Sequence, residues 1–402
     1  MPDQGMKQKF PRLPSLTGIR FIAAISVFMF HWSIPDPVIN LFGSPGVRDV
    51  YDKIFSDSGW FGVSFFFVLS GFVMTWTAKP SDTATRFWRR RAAKVYPNHI
   101  VTWALCMALF AGATATPVQA VSNLFLVHTW IPKYDIYLSI NQPSWSLCSE
   151  VLFYLLFPFI LPLINRIREG RLWAYAGGVV AGGFAVPLFA MWVFPSTPQV
   201  QFGAPISVLQ YWFTYAFPVP RLLDFVLGML MARIVLSGKW IPFGLLPASL
   251  LILGGYVLAL NTPFIWGLNA INLAPMGLFV AAAATADIEG KRSWVRGRAM
   301  VWLGDVSFAF YMVQSLVMLW LRPKVLGTRT FATPQAIGLL AVVFAVTMVL
   351  AWALHKFVEM PMMRFSWPRG TRRPAPVLTP TASSTPAIAG AVSDAMPAIQ
   401  AE

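Results

Sequence analysis

Charged side chains are scarce in this chain of 402 residues. Asp, Glu, Lys and Arg together make up 12% of it, against about 25% in an ordinary soluble domain. Acids are the scarcer half, 16 against 31 Lys and Arg. There are 2 cysteines, Cys106 and Cys148, both in apolar segments. They exclude a disulfide framework and a zinc site, and no metal site is expected. A cleavable signal peptide is not evident. The first apolar run is long and lacks a small-residue cleavage site, so it reads as a retained span. The glycine pairs at 177–178 and 182–183 do not match a phosphate-binding fingerprint and are expected to serve close helix packing. No appended soluble catalytic domain is expected.

What is present in abundance is apolar. The chain is 56% hydrophobic, with 17 Trp and 33 Phe, residues suited to lipid-facing and interfacial surfaces. The fold class that follows is an all-α integral membrane protein of about ten transmembrane helices in one bundle, in contact with the lipid bilayer. Spans are expected near 15–34, 60–78, 97–115, 145–165, 172–194, 218–236, 241–260, 264–286, 300–321 and 334–357. A further apolar patch, 118–131, is too short to cross and reads as re-entrant or interfacial. The net charge of +15 could suggest a nucleic-acid partner, but the basic residues fall in short runs between apolar spans. Most of them collect on one side, which makes them a topology signal and both termini cytoplasmic. Residues 1–14 are then a cytoplasmic N-terminal segment and 15–365 a ten-helix membrane domain. Residues 366–402, rich in Pro, Ala, Ser and Thr, form a disordered cytoplasmic tail. The expected location is the plasma membrane.

The first span, LPSLTGIRFIAAISVFMFH, carries Arg20 and, eleven positions on, His31. At the rise of an α-helix they stand about 16 Å apart, roughly half a bilayer core. Ionisable groups at depth in a membrane are expensive and mark functional sites by default. Arg20 can snorkel to the interface; His31 has less reach. His31 is either a general base taking a proton from a hydroxyl or a hydrogen-bonded packing histidine. The spacing from His31 to Asp36 matches the HxxxxD pattern of some glycerolipid acyltransferases, a weak match because Pro35 breaks the helix between them.

Glu150 stands among Leu, Phe and Tyr in PSWSLCSEVLFYLLFP and needs a partner. It is either the orienter of a catalytic histidine or a packing residue bonded to Ser or backbone. Arg89, Arg90, Arg91 and Lys94 follow the second span; a clamp for a phosphate-bearing anion and plain topology or headgroup contact both account for them. Arg221 and Asp224 lie three apart on one helix face and can pair. Asp305, Ser307 and Tyr311 read as a satisfied polar cluster. His99, His128 and His355 read as interfacial.

Taken together, these strings resemble the membrane acyltransferase-3 family, over about 15–365. Arg20 and His31 meet its Arg/Lys-x10-His signature. Its GVxxFFxxSGF string stands as GVSFFFVLSGF from Gly62 to Phe72, its RRxxRIxP as RRAAKVYP with Lys94 at the second basic position, and its WSLSxE as WSLCSE from Trp145 to Glu150. RxxEFxxG appears as RLLDFVLG with Asp224 in place of Glu, LGxxSYxxY as LGDVSFAFY with Phe308 in place of Tyr, and ExP as Glu359-Met-Pro361. Two departures stand out. Val151 replaces a second acid often found after Glu150, and Gln314 replaces a histidine often found three residues after Tyr311. The resemblance implies an O-acyltransferase with cytoplasmic acyl-CoA as donor substrate and no permanently bound cofactor. His31 and Glu150 are then the catalytic pair: His31 either deprotonates the acceptor hydroxyl directly or receives the acyl group first, and Glu150 orients the imidazole. Arg20, Arg89, Arg90, Arg91, Lys94, Ser70, Trp145 and Arg221 are candidates for substrate contact. The helix bearing Gly62, Ser64, Ser70 and Gly71 could wall an acyl passage. The acceptor is a hydroxyl of a saccharide or a secondary metabolite, and the opening LPSLTGIRF and the WSLCSE variant look most like the macrolide-modifying branch. The rival readings are a multi-span transporter or flippase, against which stands the lack of an internal repeat, and a non-catalytic membrane sensor, against which stands retention of both His31 and Glu150.

Overall fold

The computed structural model describes residues 12–34, 39–79, 81–200 and 204–365. Asp36 and the expected tail, 366–402, lie outside the described residues. Twelve helices of eight residues or more are used below. They are α1 (Pro14–His31), α2 (Pro45–Phe55), α3 (Ser58–Thr77), α4 (Ala84–Cys106), α5 (Pro117–Leu124), α6 (Trp145–Arg166), α7 (Leu172–Val193), α8 (Pro218–Leu236), α9 (Leu245–Leu260), α10 (Ala270–Ile288), α11 (Arg298–Leu316) and α12 (Thr333–Leu354). Proline in the first turn of α1, α2, α5, α8 and α12 starts these helices where its missing N–H costs nothing.

Seven helical stretches are long and apolar enough to cross a membrane: Pro14–His31, Pro45–Thr77, Gln142–Arg166, Glu169–Val193, Phe264–Ile288, Arg298–Leu326 and Thr333–Phe365. The protein is thus an integral membrane protein built of helices. The other three expected spans are present as helices that miss those criteria. α4 carries Arg86, Arg89, Arg90, Arg91 and Lys94 in its first half, α8 carries Arg221, Asp224 and Arg233, and α9 has only 16 residues. α4 also begins well before the expected start at 97, because the helix runs through Pro97. The basic run is therefore helical, where a cytoplasmic loop was expected. The segment 118–131 holds only α5 and a 3-10 turn, His128–Trp130, in keeping with its expected failure to cross. The amphipathic helix α2 has no counterpart among the expected spans.

The centre of the bundle is α3, packed on one side against α1 and on the other against α8, while α1 also packs against α11. Glycines set these crossings. A methyl group on Gly71 would stand 1.9 Å from the Phe225 carbonyl oxygen of α8, and one on Gly228 would stand 1.9 Å from that of Val68 on α3. Backbones this close admit no side chain. Gly304 of α11 meets the Thr17 carbonyl of α1 in the same way, and Gly62 of α3 meets that of Ala23. Gly62, Gly71, Gly228 and Gly304 thus set the helix crossings, while α3 presents Ser70 to a cavity. Of the glycine pairs, Gly183 is tight against Leu273, whereas a side chain at Gly177 or Gly178 would meet nothing within 4 Å. Close packing at the first pair was expected and is not found, because that turn of α7 faces open space.

Candidate active site

Five helices converge on one cavity enclosing about 850 Å³, its open mouth included. Arg20 comes from α1; Phe66, Phe67, Ser70 and Met74 from α3; Arg91 and Lys94 from α4; Ser146, Glu150 and Tyr154 from α6; Asp305, Ser307, Phe308 and Tyr311 from α11. The spacings are those of single helix faces, three, four and seven residues apart. Phe87 stacks on Phe157 at 4.9 Å and Phe67 meets Phe153 edge-on at 5.0 Å, so an aromatic wall backs α4 and α6 where they carry the charges. Trp88 Nε1 donates to the Tyr154 carbonyl at 2.9 Å and ties α4 to α6 at the same level.

The cavity is charged on a small scale. Glu150 accepts a 2.5 Å hydrogen bond from the Tyr154 hydroxyl one turn away and faces Arg20, Lys94 and Arg91. Arg91 stacks its guanidinium over Phe87 at 5.4 Å and Tyr154 at 5.8 Å, and its Nε is buried without a hydrogen-bond partner. Among the described residues, neither Arg20 nor Arg91 forms a hydrogen bond or an ion pair. Lys94 is held 3.9 Å from Glu359, which is buried, accepts a hydrogen bond from Asn98 Nδ2 at 2.9 Å and lies 3.2 Å from His355 Nδ1. Glu359 ends a π-helical turn, His355–Glu359, beyond α12. The cavity therefore pairs two guanidinium groups without strong partners with a lysine already anchored from behind, a donor set matched to phosphate or carboxylate oxygens.

His31 lies apart from this cavity. Its Nδ1 is 2.8 Å from Gln314 Oε1 on α11, and both residues are buried. Between the cavity and that pair, one turn back on α11, Tyr311 donates to the Pro143 carbonyl at 3.0 Å and meets Ser146 Oγ at 2.9 Å. The expected hydrogen bond between His31 and Glu150 is not formed. Glu150 sits at the level of Arg20, and Arg20 and His31 are three helical turns apart, about 16 Å. The Gln314 amide takes the place expected for the carboxylate.

The other expected contacts divide by helix face. Arg20, Arg91, Lys94 and Ser70 reach the cavity. Arg90 forms an ion pair with Asp82, and neither it nor Arg89 lines the cavity, because on an α-helix positions 91, 94 and 95 share a face that 89 and 90 do not. Arg221 does not reach it either. It is fully buried between α3 and α8, 3.1 Å from Asp224 and 2.6 Å from Ser64 Oγ, with its guanidinium over Phe67 at 5.2 Å and Tyr215 at 5.1 Å. The expected pairing of Arg221 with Asp224 is present. Trp145 packs against Tyr215 at 4.6 Å, behind Phe67. Asp305, Ser307 and Tyr311 line the cavity and are more than the satisfied cluster expected of them. Tyr154 escaped the sequence reading, although its place four residues after a buried acid is a usable signal. His99 and His128 were expected at interfaces. They are fully buried instead: His99 Nε2 is 3.0 Å from the Asn123 carbonyl, and His128 packs against Asn123, Ser144 and Cys148.

Residues 13–356 match the family model described as an acyltransferase domain, that of the acyltransferase-3 family. The chain belongs to this family. It is 37% identical over 380 residues to the acyltransferase MdmB of Streptomyces mycarofaciens, covering 92% of this chain and 95% of that one. It is 27% identical over 321 residues to the exopolysaccharide production protein ExoZ of Rhizobium meliloti, covering 75% and 89%. To the O-acetyltransferase OatA of Staphylococcus aureus it is 22% identical over 401 residues, covering 89% of this chain and 58% of the relative. No solved structure matches the chain. The acyltransferase-3 chain described here is accordingly an acyltransferase of the membrane.

Proposed function

We propose that this acyltransferase moves an acyl group from cytoplasmic acyl-CoA to a hydroxyl of a sugar-containing or macrolide-like acceptor, in the plasma membrane and with ten crossings that leave both termini cytoplasmic. The observation that carries the reading is the pair of guanidinium groups, Arg20 and Arg91, that enter one cavity without hydrogen-bond or ion-pair partners among the described residues. Beside Lys94, they form a receptor for the phosphates of a coenzyme A thioester. The bias of Lys and Arg toward that side of the membrane supports a cytoplasmic donor. Likeness over nearly the full length of MdmB supports acyl transfer, and the likeness to an exopolysaccharide production protein supports a saccharide-like acceptor.

In this reading the phosphates rest on Arg20, Arg91 and Lys94, and the thioester end points along α11 past Tyr311 toward His31. His31 takes the proton of the acceptor hydroxyl as its oxygen attacks the thioester carbonyl. The C–O bond forms, the C–S bond breaks, and the proton passes from the imidazolium to the departing CoA thiolate. Glu150 stays in the donor cavity, where it offsets part of the positive charge and holds the Tyr154 hydroxyl.

The test is incubation of the purified protein with acetyl-, propionyl- and longer acyl-CoA and a panel of macrolides and saccharides, read by mass spectrometry. The expected result is an acceptor heavier by one acyl group, free CoA, and an apparent KM for acyl-CoA raised about 10-fold or more in Arg20→Gln and Arg91→Gln. Intact thioester with every donor, in protein that is folded in detergent, overturns the reading.

A further inference from the structure

One side chain holds the His31 ring. Gln314 Oε1 lies 2.8 Å from Nδ1, at the end of α1 and three residues beyond Tyr311 on α11. A carbonyl oxygen only accepts, so with Oε1 toward the ring Nδ1 carries the hydrogen and Nε2 keeps its lone pair. Nε2 has no hydrogen-bond partner among the described residues, and His31 keeps 9% of its surface exposed, enough to leave that nitrogen reachable. Gln314 is 2% exposed, and its own Nε2 is buried without a partner, so the bond to His31 is what orients the amide.

The surroundings supply no substitute. Phe30, at 5.6 Å between ring centroids, stands beside the imidazole and packs on Trp60 at 4.5 Å. The titratable groups on neighbouring helices are turned elsewhere. Tyr51 of α2 donates to the Met29 carbonyl at 3.1 Å, Tyr311 of α11 donates to the Pro143 carbonyl, and Asp57 at the start of α3 lies against Gly267. No charged side chain acts on the ring.

We infer that Gln314 is the positioning residue of the reaction: through Nδ1 it fixes one tautomer and one ring orientation of His31, so that Nε2 is the nitrogen that meets the acceptor hydroxyl. This rests on His31 being the base. A neutral amide orients the ring without favouring its protonated form, as a carboxylate would. The imidazolium then exists only between proton uptake from the hydroxyl and proton delivery to the CoA thiolate.

The experiment compares full-length wild type, Gln314→Leu, Gln314→Glu and His31→Ala in detergent. Acetyl-CoA is the donor, and the best acceptor of the panel above, or water, receives the acyl group; release of the CoA thiol is followed from pH 5 to 9. Gln314→Leu frees the ring to exchange tautomers, and kcat is expected to fall about 10- to 100-fold while the KM for acetyl-CoA stays within about two-fold. Gln314→Glu keeps an accepting oxygen and adds a charge. It is expected to recover most of kcat at the alkaline end and to move the acid limb of the profile upward by about one pH unit or more. Wild-type kcat in Gln314→Leu together with a wild-type profile in Gln314→Glu, while His31→Ala is inactive, overturns the role of Gln314 and leaves that of His31 standing. Near-normal turnover in His31→Ala overturns both. Should the leucine variant fail to fold, the profile of Gln314→Glu decides alone.

Discussion

Glu150 and Tyr154, one turn apart on α6, share a 2.5 Å hydrogen bond at the wall of a cavity that also receives Arg20, Arg91 and Lys94. The carboxylate is therefore a counter-charge in that cavity and makes no hydrogen bond to the imidazole it was expected to orient. Replacing it with an amide removes one negative charge where anionic phosphates are proposed to bind.

Glu150→Gln should accordingly lower the apparent KM for acyl-CoA and tighten binding of free CoA, each by about 10-fold or less, as expected for one charge in a partly solvated site. Isothermal titration with CoA and initial rates with acetyl-CoA measure the two effects. Loss of two or more powers of ten in kcat at unchanged KM would instead assign Glu150 to the reacting atoms.

Arg90 and Arg91 are neighbours in sequence with opposite expectations. Arg91→Ala should raise the KM for acyl-CoA about 10- to 100-fold, the value of a charge-assisted hydrogen bond to phosphate, and the defect should grow with salt. Arg90→Ala, which breaks only the ion pair with Asp82, should leave that KM within about two-fold. Equal defects in both would mean that the run acts as a diffuse basic surface.

Arg221 and Asp224 are both fully buried. Removing one member leaves an uncompensated charge, at a cost of about 3–5 kcal/mol. Arg221→Met and Asp224→Leu should each melt well below wild type, and the double variant should recover much of the loss. Protein that survives should keep its KM for acyl-CoA. A changed KM in a stable double variant would return Arg221 to the substrate site.

At Gly228 a methyl group has no room, so Gly228→Ala should destabilise the α3–α8 crossing by about 1–3 kcal/mol or more. At Gly177 there is space, and Gly177→Ala should be neutral or stabilising by up to about 1 kcal/mol through helix propensity. Thermal unfolding in a single detergent compares them; equal melting temperatures would mean that the crossing adjusts freely.

Much of the helical order was legible because long apolar runs with caps state their own limits: the expected 145–165 and 218–236 meet α6 and α8 almost end to end. α4 was misjudged because Pro97 and the basic run look like punctuation, and only the packed bundle shows that a helix continues through both. Within the site the basic run was readable as a whole, but only its helical state separates Arg91 and Lys94, which face the cavity, from Arg89 and Arg90, which do not. Depth was not readable. Nothing in the sequence tells how far α6 slides along α1, and that register decides whether Glu150 meets Arg20 or His31. Gln314, 283 positions from His31, was visible only as a departure from the family pattern.

The acid behind Lys94 has a consequence for biosynthesis. Asn98 and Glu359 are joined across 261 positions, so the lysine reaches the ribosome's exit long before its anchor does. A nascent chain halted before the π-helical turn at His355–Glu359 would lack the carboxylate that backs Lys94. Lys94 thus gains its counter-charge only after nearly all of the described helices have been made.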